Sequence, residues 1–342
     1  IYEMNILFYN FYDDLNLHNT LFTQKNTSIG DNLLDPFDYL NKICKAKKIN
    51  IGTNAKIKLE NADIVFFNDI PNFENKYVKE IFNQNIPKHL IIFESPIIRE
   101  FDPKNPLFKR FDKIFTYDDN LIDNKRFFKI NYSFNFNRKI NNYVHRNNKY
   151  VMISSNKSSN GANELYSKRR KIIDWFEKNN PERFSLYGHN WDKYIFPNFI
   201  PLKYFNRYKF IQILLSKKLK VYKGQVERKN KILLKYKFCF CFENVSSING
   251  YITEKIFDSF FSLCIPIYLG APNISSHIPS NCFIDASKFT SIDELFLFCE
   301  NLNDHEINLY VTNIINYLNS PEARKFSVEK FSETLLNHIT NK

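Results

Sequence analysis

Glu254 and Lys255 stand side by side just after Gly250-Tyr251-Ile252-Thr253, and Glu243-Asn244 precede that loop. Thr253 is a good N-cap residue, so the spacing predicts a helix opening there. A helix opening presents free N–H groups and partial positive charge, and Lys255 adds a full charge at the same place. Phosphate could be held there, and Glu254 could accept hydrogen bonds from hydroxyls. A capped helix with a solvated Glu-Lys pair fits the same residues.

Glu243 follows the apolar run FCFCF, which places a carboxylate at a strand end, either facing a crevice or holding a neighbouring backbone. Arg169 lies in the basic cluster 168–171, on the helix expected after the polar loop that contains Asn156. An arginine there could fork onto a pyrophosphate or point to solvent, and its neighbour Arg170 is expected to face solvent. Glu94 follows HLIIF and precedes Ser95-Pro96. It could take a proton from a hydroxyl, or cap the backbone of its own loop. No GxGxxG, Walker loop, GxSxG or HExxH is present, and no DxD triplet offers carboxylates to a metal-bridged diphosphate.

Strand–helix alternation must position these residues. Apolar runs at 5–12, 62–69, 89–94 and 109–118, with helical patterns at 38–48 and 76–84, predict a parallel sheet covered by helices. The polar, Asn-rich segment 131–149 breaks the rhythm and reads as a connection. The pattern restarts with strands at 149–156, 184–188, 238–242 and 264–270 and helices at 164–178, from 253 and at 291–302, and it closes with helices near 305–319 and 327–339. Ser291 and Glu294 have the spacing of a capping box. Two α/β domains in series leave a cleft, and ligands of such sheets bind beyond the strand carboxyl ends.

The 342 residues suit two domains, and 44% hydrophobic with 25% charged residues is a globular composition. A formal charge of +12 favours anionic partners. Many aromatics fall inside apolar strands and read as core, which argues against a nucleic-acid surface. The six cysteines lack zinc-type spacing, and no metal ligands are expected. No window is apolar and long enough to span a membrane, and the opening IYEM does not read as a signal peptide.

The blocks 236–244, 250–255 and 265–272 together resemble the signature of the α1,3/4-fucosyltransferases, glycosyltransferase family 10. Ser154-Ser155-Asn156 with Arg169, Leu186-Tyr187-Gly188 with Trp191, and Tyr222-Lys223-Gly224 resemble its further donor-domain landmarks. Phe93-Glu94-Ser95-Pro96 and Thr116-Tyr117-Asp118 resemble its N-terminal elements. The resemblance implies a GT-B architecture, α/β throughout, with two Rossmann-like domains whose parallel sheets face each other across a cleft. The expected division is 1–148 on the acceptor side, 149–320 for the donor, and a C-terminal helix over 321–342.

The resemblance further implies transfer of fucose, with inversion, from GDP-fucose to a glycan hydroxyl, with N-acetylglucosamine of a lactosamine-type unit as the family's usual acceptor. Glu94 would be the base. Arg169 and Lys255 would pair with the diphosphate, Tyr251 and Glu254 would contact ribose, diphosphate or fucose, and Asn244 would shape the pocket. Lys223, Glu243 and Asn156 complete the expected donor-binding set. No cofactor is required on this reading, a divalent metal would at most stimulate, and the partners are GDP-fucose and the glycan, with no nucleic acid. Peripheral membrane association and a cytoplasmic or membrane-peripheral location are expected, or the Golgi lumen should an anchor precede this chain. A GT-B transferase using another nucleotide sugar or acceptor is the alternative, with a nucleic-acid-binding protein as the remote non-enzyme reading.

Overall fold

Ile64–Asn68 and Lys88–Ile92 are each buried over all five residues, so these strands have no solvent face and must lie inside a covered sheet. The computed structural model describes residues 3–24, 26, 27, 30–137, 146–194, 196, 201–216 and 218–340. Its residues group into two units, Ile1–Asn137 with Asn249–Tyr251 and Pro321–Lys342, and Arg138–Ile248 with Ile252–Ser320.

The first unit begins with β1 (Met4–Asn10), α1 (Asp13–Asn16), α2 (Thr20–Thr23), a short antiparallel pair β2 (Asn26–Thr27) and β3 (Gly30–Asp31), and α3 (Asp35–Ala46). It continues through β4 (Ile49–Thr53), β5 (Ile64–Asn68), α4 (Lys76–Asn83), β6 (Lys88–Ile92), β7 (Lys113–Thr116) and β8 (Phe127–Lys129). The six-stranded sheet runs β4-β1-β5-β6-β7-β8, parallel throughout. The expected strand over 109–118 is shorter at its start, because Pro106–Arg110 forms a 3-10 turn whose N-H of Leu107 is taken by the Asn105 side chain.

The second unit holds β9 (Asn147–Ile153), α5 (Tyr166–Asn179), β10 (Phe184–Tyr187), α6 (Lys209–Leu214), α7 (Lys229–Leu233), β11 (Tyr236–Phe242), α8 (Glu254–Phe261), β12 (Ile265–Leu269), β13 (Ile284–Asp285), α9 (Ile292–Asn301) and α10 (Asp304–Leu318). Its sheet order is β10-β9-β11-β12-β13, again parallel. Half of the expected capping box is made as drawn. The Ser291 hydroxyl accepts the Glu294 N–H, while the Glu294 carboxylate takes the N–H and hydroxyl of Thr290.

Two parts of the expected division look different in contacts. Within the segment read as a connection, Phe134 pairs with the backbone of Phe326 and Val328, which ties it to the first unit. Residues 138–145 lie outside the described residues, and β9 begins at Asn147. The last helix, α11 (Val328–Thr340), belongs to the first unit's core, where the Phe331 ring meets Phe37 edge-on at 5.3 Å and Leu335 is fully buried. Each such side chain contributes about 1.5–3 kcal/mol by leaving water, so this helix is part of the fold it closes.

In each sheet the strand order reverses beside the first strand of its unit. That switch point lies between β1 and β5 in one unit, and between β9 and β11 in the other. The carboxyl ends of those strands are where a ligand crevice forms in open α/β sheets.

Candidate functional site

In the first unit, four strand ends converge on Glu94. Asp69, directly after β5, is buried and takes the left-handed conformation at φ 64°. Its Oδ1 accepts the N–H groups of Phe93 at 2.7 Å and Glu94 at 2.8 Å. Tyr12, after β1, donates its hydroxyl to Glu94 Oε1 at 2.5 Å. Tyr117, after β7, donates to the Glu94 carbonyl at 3.0 Å, and Tyr132 to the Phe93 carbonyl at 2.5 Å. The half-buried Glu94 is therefore fixed by backbone and side chain, while its Oε2 has no partner among the described residues.

Burial pushes the Asp69 carboxyl up, and the Glu94 charge pushes it further, to about 7, against the two N–H bonds and the Arg99 guanidinium. Arg99 donates to the Ile70 carbonyl at 2.8 Å and lies 3.7 Å over the Phe11 ring. Burial and the Glu94 carboxylate hold the Tyr12 hydroxyl well above its ordinary value, so it stays a donor.

In the second unit, Glu243 ends β11 fully buried. Its Oε1 accepts the Thr253 N–H at 2.8 Å and its Oε2 the Thr253 hydroxyl at 2.7 Å. Thr253 is the N-cap residue of α8 by position, but its hydroxyl serves Glu243 rather than the helix. Lys255 Nζ lies 3.2 Å from Glu243 Oε2, 3.0 Å from the Thr253 hydroxyl and 3.5 Å from Glu254 Oε1. Burial disfavours its charge, and Glu254 and Glu243 outweigh that, so the ammonium is held above its ordinary value. Burial likewise opposes ionisation of Glu254, yet Lys255 and Lys229 draw its carboxyl down to about 2. Lys229 lies 3.9 Å from Glu254 and 3.1 Å from Asp258.

Arg169 is buried on α5, and its Nη2 donates to the carbonyls of Phe242 at 2.6 Å and Glu243 at 2.7 Å and to Asn244 Oδ1 at 3.0 Å. It thereby clamps the end of β11, and its charge acts on Lys255. Gly270 leaves room for this arrangement: a Cβ there would fall 2.5 Å from Glu243 Cγ and 2.5 Å from the Tyr268 hydroxyl.

Arg169, Glu243, Asn244, Glu254 and Lys255 are thus brought into one network, and three other expected donor-binding residues are not. Lys223 is exposed, with its ammonium on the Lys220 carbonyl at 3.0 Å. Tyr251 is buried in the first unit, its ring 4.8 Å from Tyr117 and 6.3 Å from Tyr132. Asn156 binds the carbonyls of Asn190 and Lys193 and accepts from Arg170 at 2.9 Å. Arg170 does not face solvent as expected. Its guanidinium sits 4.6 Å over Trp191, burial lowers its affinity for the proton, and with Asn156, Trp191 and Tyr194 it lines a cavity of about 930 Å³.

Asp69, Tyr12 and Lys229 were not foreseen. Asp69 carried a legible signal, since IVFFND repeats the pattern of an acid or amide directly after a buried strand that singled out Glu94 and Glu243. All six cysteines are buried and unpaired. Among the described residues no group of three or more His, Cys, Asp or Glu side chains is arranged to hold a metal ion.

Residues 203–314 match the family model "Glycosyltransferase family 10 (fucosyltransferase) C-term". Alpha-(1,3)-fucosyltransferase FucT of Helicobacter pylori is 35% identical over 108 residues, 31% of this chain and 22% of that protein. Alpha-(1,4)-fucosyltransferase of Arabidopsis thaliana is 39% identical over 72 residues, 21% of this chain and 18% of the relative. GDP-fucose protein O-fucosyltransferase 3 of Gallus gallus is 38% identical over 84 residues, 24% and 18% of the two chains. The matched segments therefore span about a fifth of these curated relatives.

A crystal structure of an alpha1,3-fucosyltransferase superposes with a TM-score of 0.61 at 18% identity, covering 99% of this chain and 90% of the other. An alpha-glucosyltransferase in complex with UDP gives 0.56 at 11% identity, covering 99% and 100%. At such identities the likeness speaks for the fold, two parallel-sheet α/β units of the GT-B type. Residues 203–314 thus match the C-terminal region of glycosyltransferase family 10, the fucosyltransferases, and the fold around them is the one seen in an alpha1,3-fucosyltransferase.

Proposed function

We propose that this chain is an inverting α1,3-fucosyltransferase that moves L-fucose from GDP-β-L-fucose to a glycan hydroxyl, with N-acetylglucosamine of a lactosamine-type unit as the first acceptor to test. The observation that carries the reading is Lys255, held charged at the opening of α8 between Glu243 and Glu254 inside the segment that matches the family. A glycosyl nucleotide leaves as a diphosphate with added negative charge. A fixed ammonium, a helix opening and the Arg169 guanidinium at the neighbouring strand end oppose that charge without reorganising. The cavity lined by Asn156, Arg170, Trp191 and Tyr194 is where we assign the nucleoside.

Inversion needs one base on the acceptor oxygen and departure from the opposite face. Glu94 Oε2 takes the hydroxyl proton while Tyr12 holds Oε1. The acceptor oxygen bonds to the anomeric carbon, and the bond from that carbon to the β-phosphate oxygen breaks with its electron pair leaving on GDP. Protein cations supply the charge, so no tightly bound metal is required and a divalent ion at most stimulates. Turnover should survive exhaustive chelation with EDTA, and complete loss restored by a divalent ion would move the leaving-group role to a metal.

The likeness to GDP-fucose protein O-fucosyltransferase 3 favours a second reading, in which a polypeptide hydroxyl is the acceptor. The fold shared with a UDP-bound glucosyltransferase keeps another donor in view. One experiment separates these readings. GDP-fucose, GDP-mannose and UDP-glucose are offered with an array of glycans and of Ser/Thr peptides, and NMR assigns the linkage. Transfer from GDP-fucose to glycans alone is expected, and consumption of only a UDP-sugar would end the proposal.

A further inference from the structure

We infer that residues 204–216 of the second unit form a docking surface for an anionic membrane. From Lys193 to Val226 the sequence contains no Asp or Glu and eight Lys or Arg residues. In an ordinary surface helix the polar residues face water, and here the order is inverted. On α6, Gln212 is buried and donates to the Asn206 side chain at 3.1 Å, and its carbonyl accepts the Tyr194 N–H at 2.9 Å. Phe210, Ile213 and Leu214, spaced to share one helix face, are 76%, 55% and 70% exposed. Tyr204, Phe205, Tyr208 and Leu215 extend the exposed apolar face.

Asn206 fixes the inner side. It donates to the Phe196 carbonyl at 3.1 Å and accepts the Phe196 N–H at 2.9 Å. The polar bonds hold the segment to the unit, and the apolar side chains are left outward. Arg207, Lys209, Lys218 and Lys220 are exposed around them.

An aromatic and aliphatic face set among cations matches a bilayer surface, with apolar side chains in the acyl boundary and cations among anionic headgroups. Two other occupants fit less well. A second copy using the same face would set its cations against like charges. Nucleic acid would use the charges and stack on the rings, but it would leave Ile213, Leu214 and Leu215 in water. No helix among the described residues is long and apolar enough to cross a membrane. This inference stands whether or not the chain transfers fucose.

The test is co-sedimentation of the full chain with vesicles of phosphatidylcholine alone or mixed with phosphatidylglycerol. Binding only to the mixed vesicles is expected, weakened by salt. Phe210→Ser with Leu214→Ser should lower the partition at least about tenfold. Lys209→Gln or Arg207→Gln should lower it roughly fivefold each. All four side chains are outward or carry no packing role, so melting temperatures should stay at the wild-type value, which separates lost docking from lost folding. Equal sedimentation of the double variant would overturn the inference, as would no preference for anionic vesicles. So would duplex DNA binding or dimerisation that depends on Phe210 and Leu214 in a protein that ignores vesicles.

Discussion

At the end of β5 stands Asp69, and at the end of β11 stands Glu243. Each is the strand that follows the switch point of its sheet, and each carries a buried carboxylate there. Asp69 spends its oxygen on the backbone of Phe93 and Glu94 and faces a second carboxylate. Glu243 spends its oxygens on Thr253 and faces the Lys255 ammonium. One position in one topology thus yields two different devices. The first aligns an acid group whose neighbours are acidic or phenolic, and the second preorganises a cation. There Lys229 and Lys255 are paired with Glu243, Glu254 and Asp258, while the Arg169 guanidinium is held by the Phe242 and Glu243 carbonyls and the Asn244 side chain.

If the two devices have separate duties, single substitutions should separate them. The largest effect belongs to Glu94→Gln, where the amide oxygen still accepts from Tyr12 but no proton can be taken. Turnover should fall about 10³–10⁴-fold while GDP still raises the melting temperature as in the wild type. Turnover within a few-fold of wild type would remove Glu94 from the chemistry. Lys255→Ala should do the reverse. In the proposed reaction it removes the charge opposing the leaving group, and it leaves Glu243 without its cation, so GDP-dependent stabilisation should vanish and donor kcat/KM drop about 100-fold. Intact GDP stabilisation in that variant would detach the α8 opening from the donor.

The alternation of apolar runs made both sheets legible, because buried parallel strands such as IVFFN and FCFCF have no polar face to blur the pattern. It passed over β4, INIGT, and the short β8 and β13, which are too brief or too polar to stand out. Network membership was harder to read. Glu254 and Lys255 are adjacent in sequence, so their pairing was visible. The Arg169 clamp on the β11 carbonyls joins residues far apart in the chain, and only packing reveals that Arg169, rather than Arg170, points there. Tyr251 shows the same limit from the other side. Two residues before Thr253 in the motif, it packs within the first unit on Tyr117 and Tyr132.

Asp69→Asn sharpens the comparison through pH. The folded state raises this carboxyl from the ordinary 3.8 to about 7, so between those values the native protein holds a proton that the unfolded chain has released. Stability contributed by the protonated group is complete below about pH 4 and is lost as pH rises through about 7. Asparagine keeps an acceptor for the Phe93 and Glu94 N–H groups and has no charge to bury. Relative to wild type, the variant should therefore gain about 2 kcal/mol between pH 4 and pH 8, roughly half the full displacement, because Glu94 and Arg99 share the field. Denaturant melts at the two pH values measure it, and parallel curves would mean that Asp69 is already ionised in the fold.

The smallest expected effect tests whether the second device depends on close approach as well as charge. Gly270 follows β12, and Glu243 packs where a Cβ at 270 would sit. Both blocking groups are constrained. Glu243 is tied to Thr253 by two bonds, and the Tyr268 hydroxyl accepts the Ala271 N–H at 3.0 Å. Neither can retreat without giving up a bond, so Gly270→Ala should destabilise the protein by about 1–2 kcal/mol, typical of overpacking. Because the displaced atom belongs to the residue that holds Lys255, GDP stabilisation should weaken with it, whereas nothing at Glu94 is touched. Loss of stability with unchanged GDP affinity would show that Glu243 supports the fold but does not aim the ammonium.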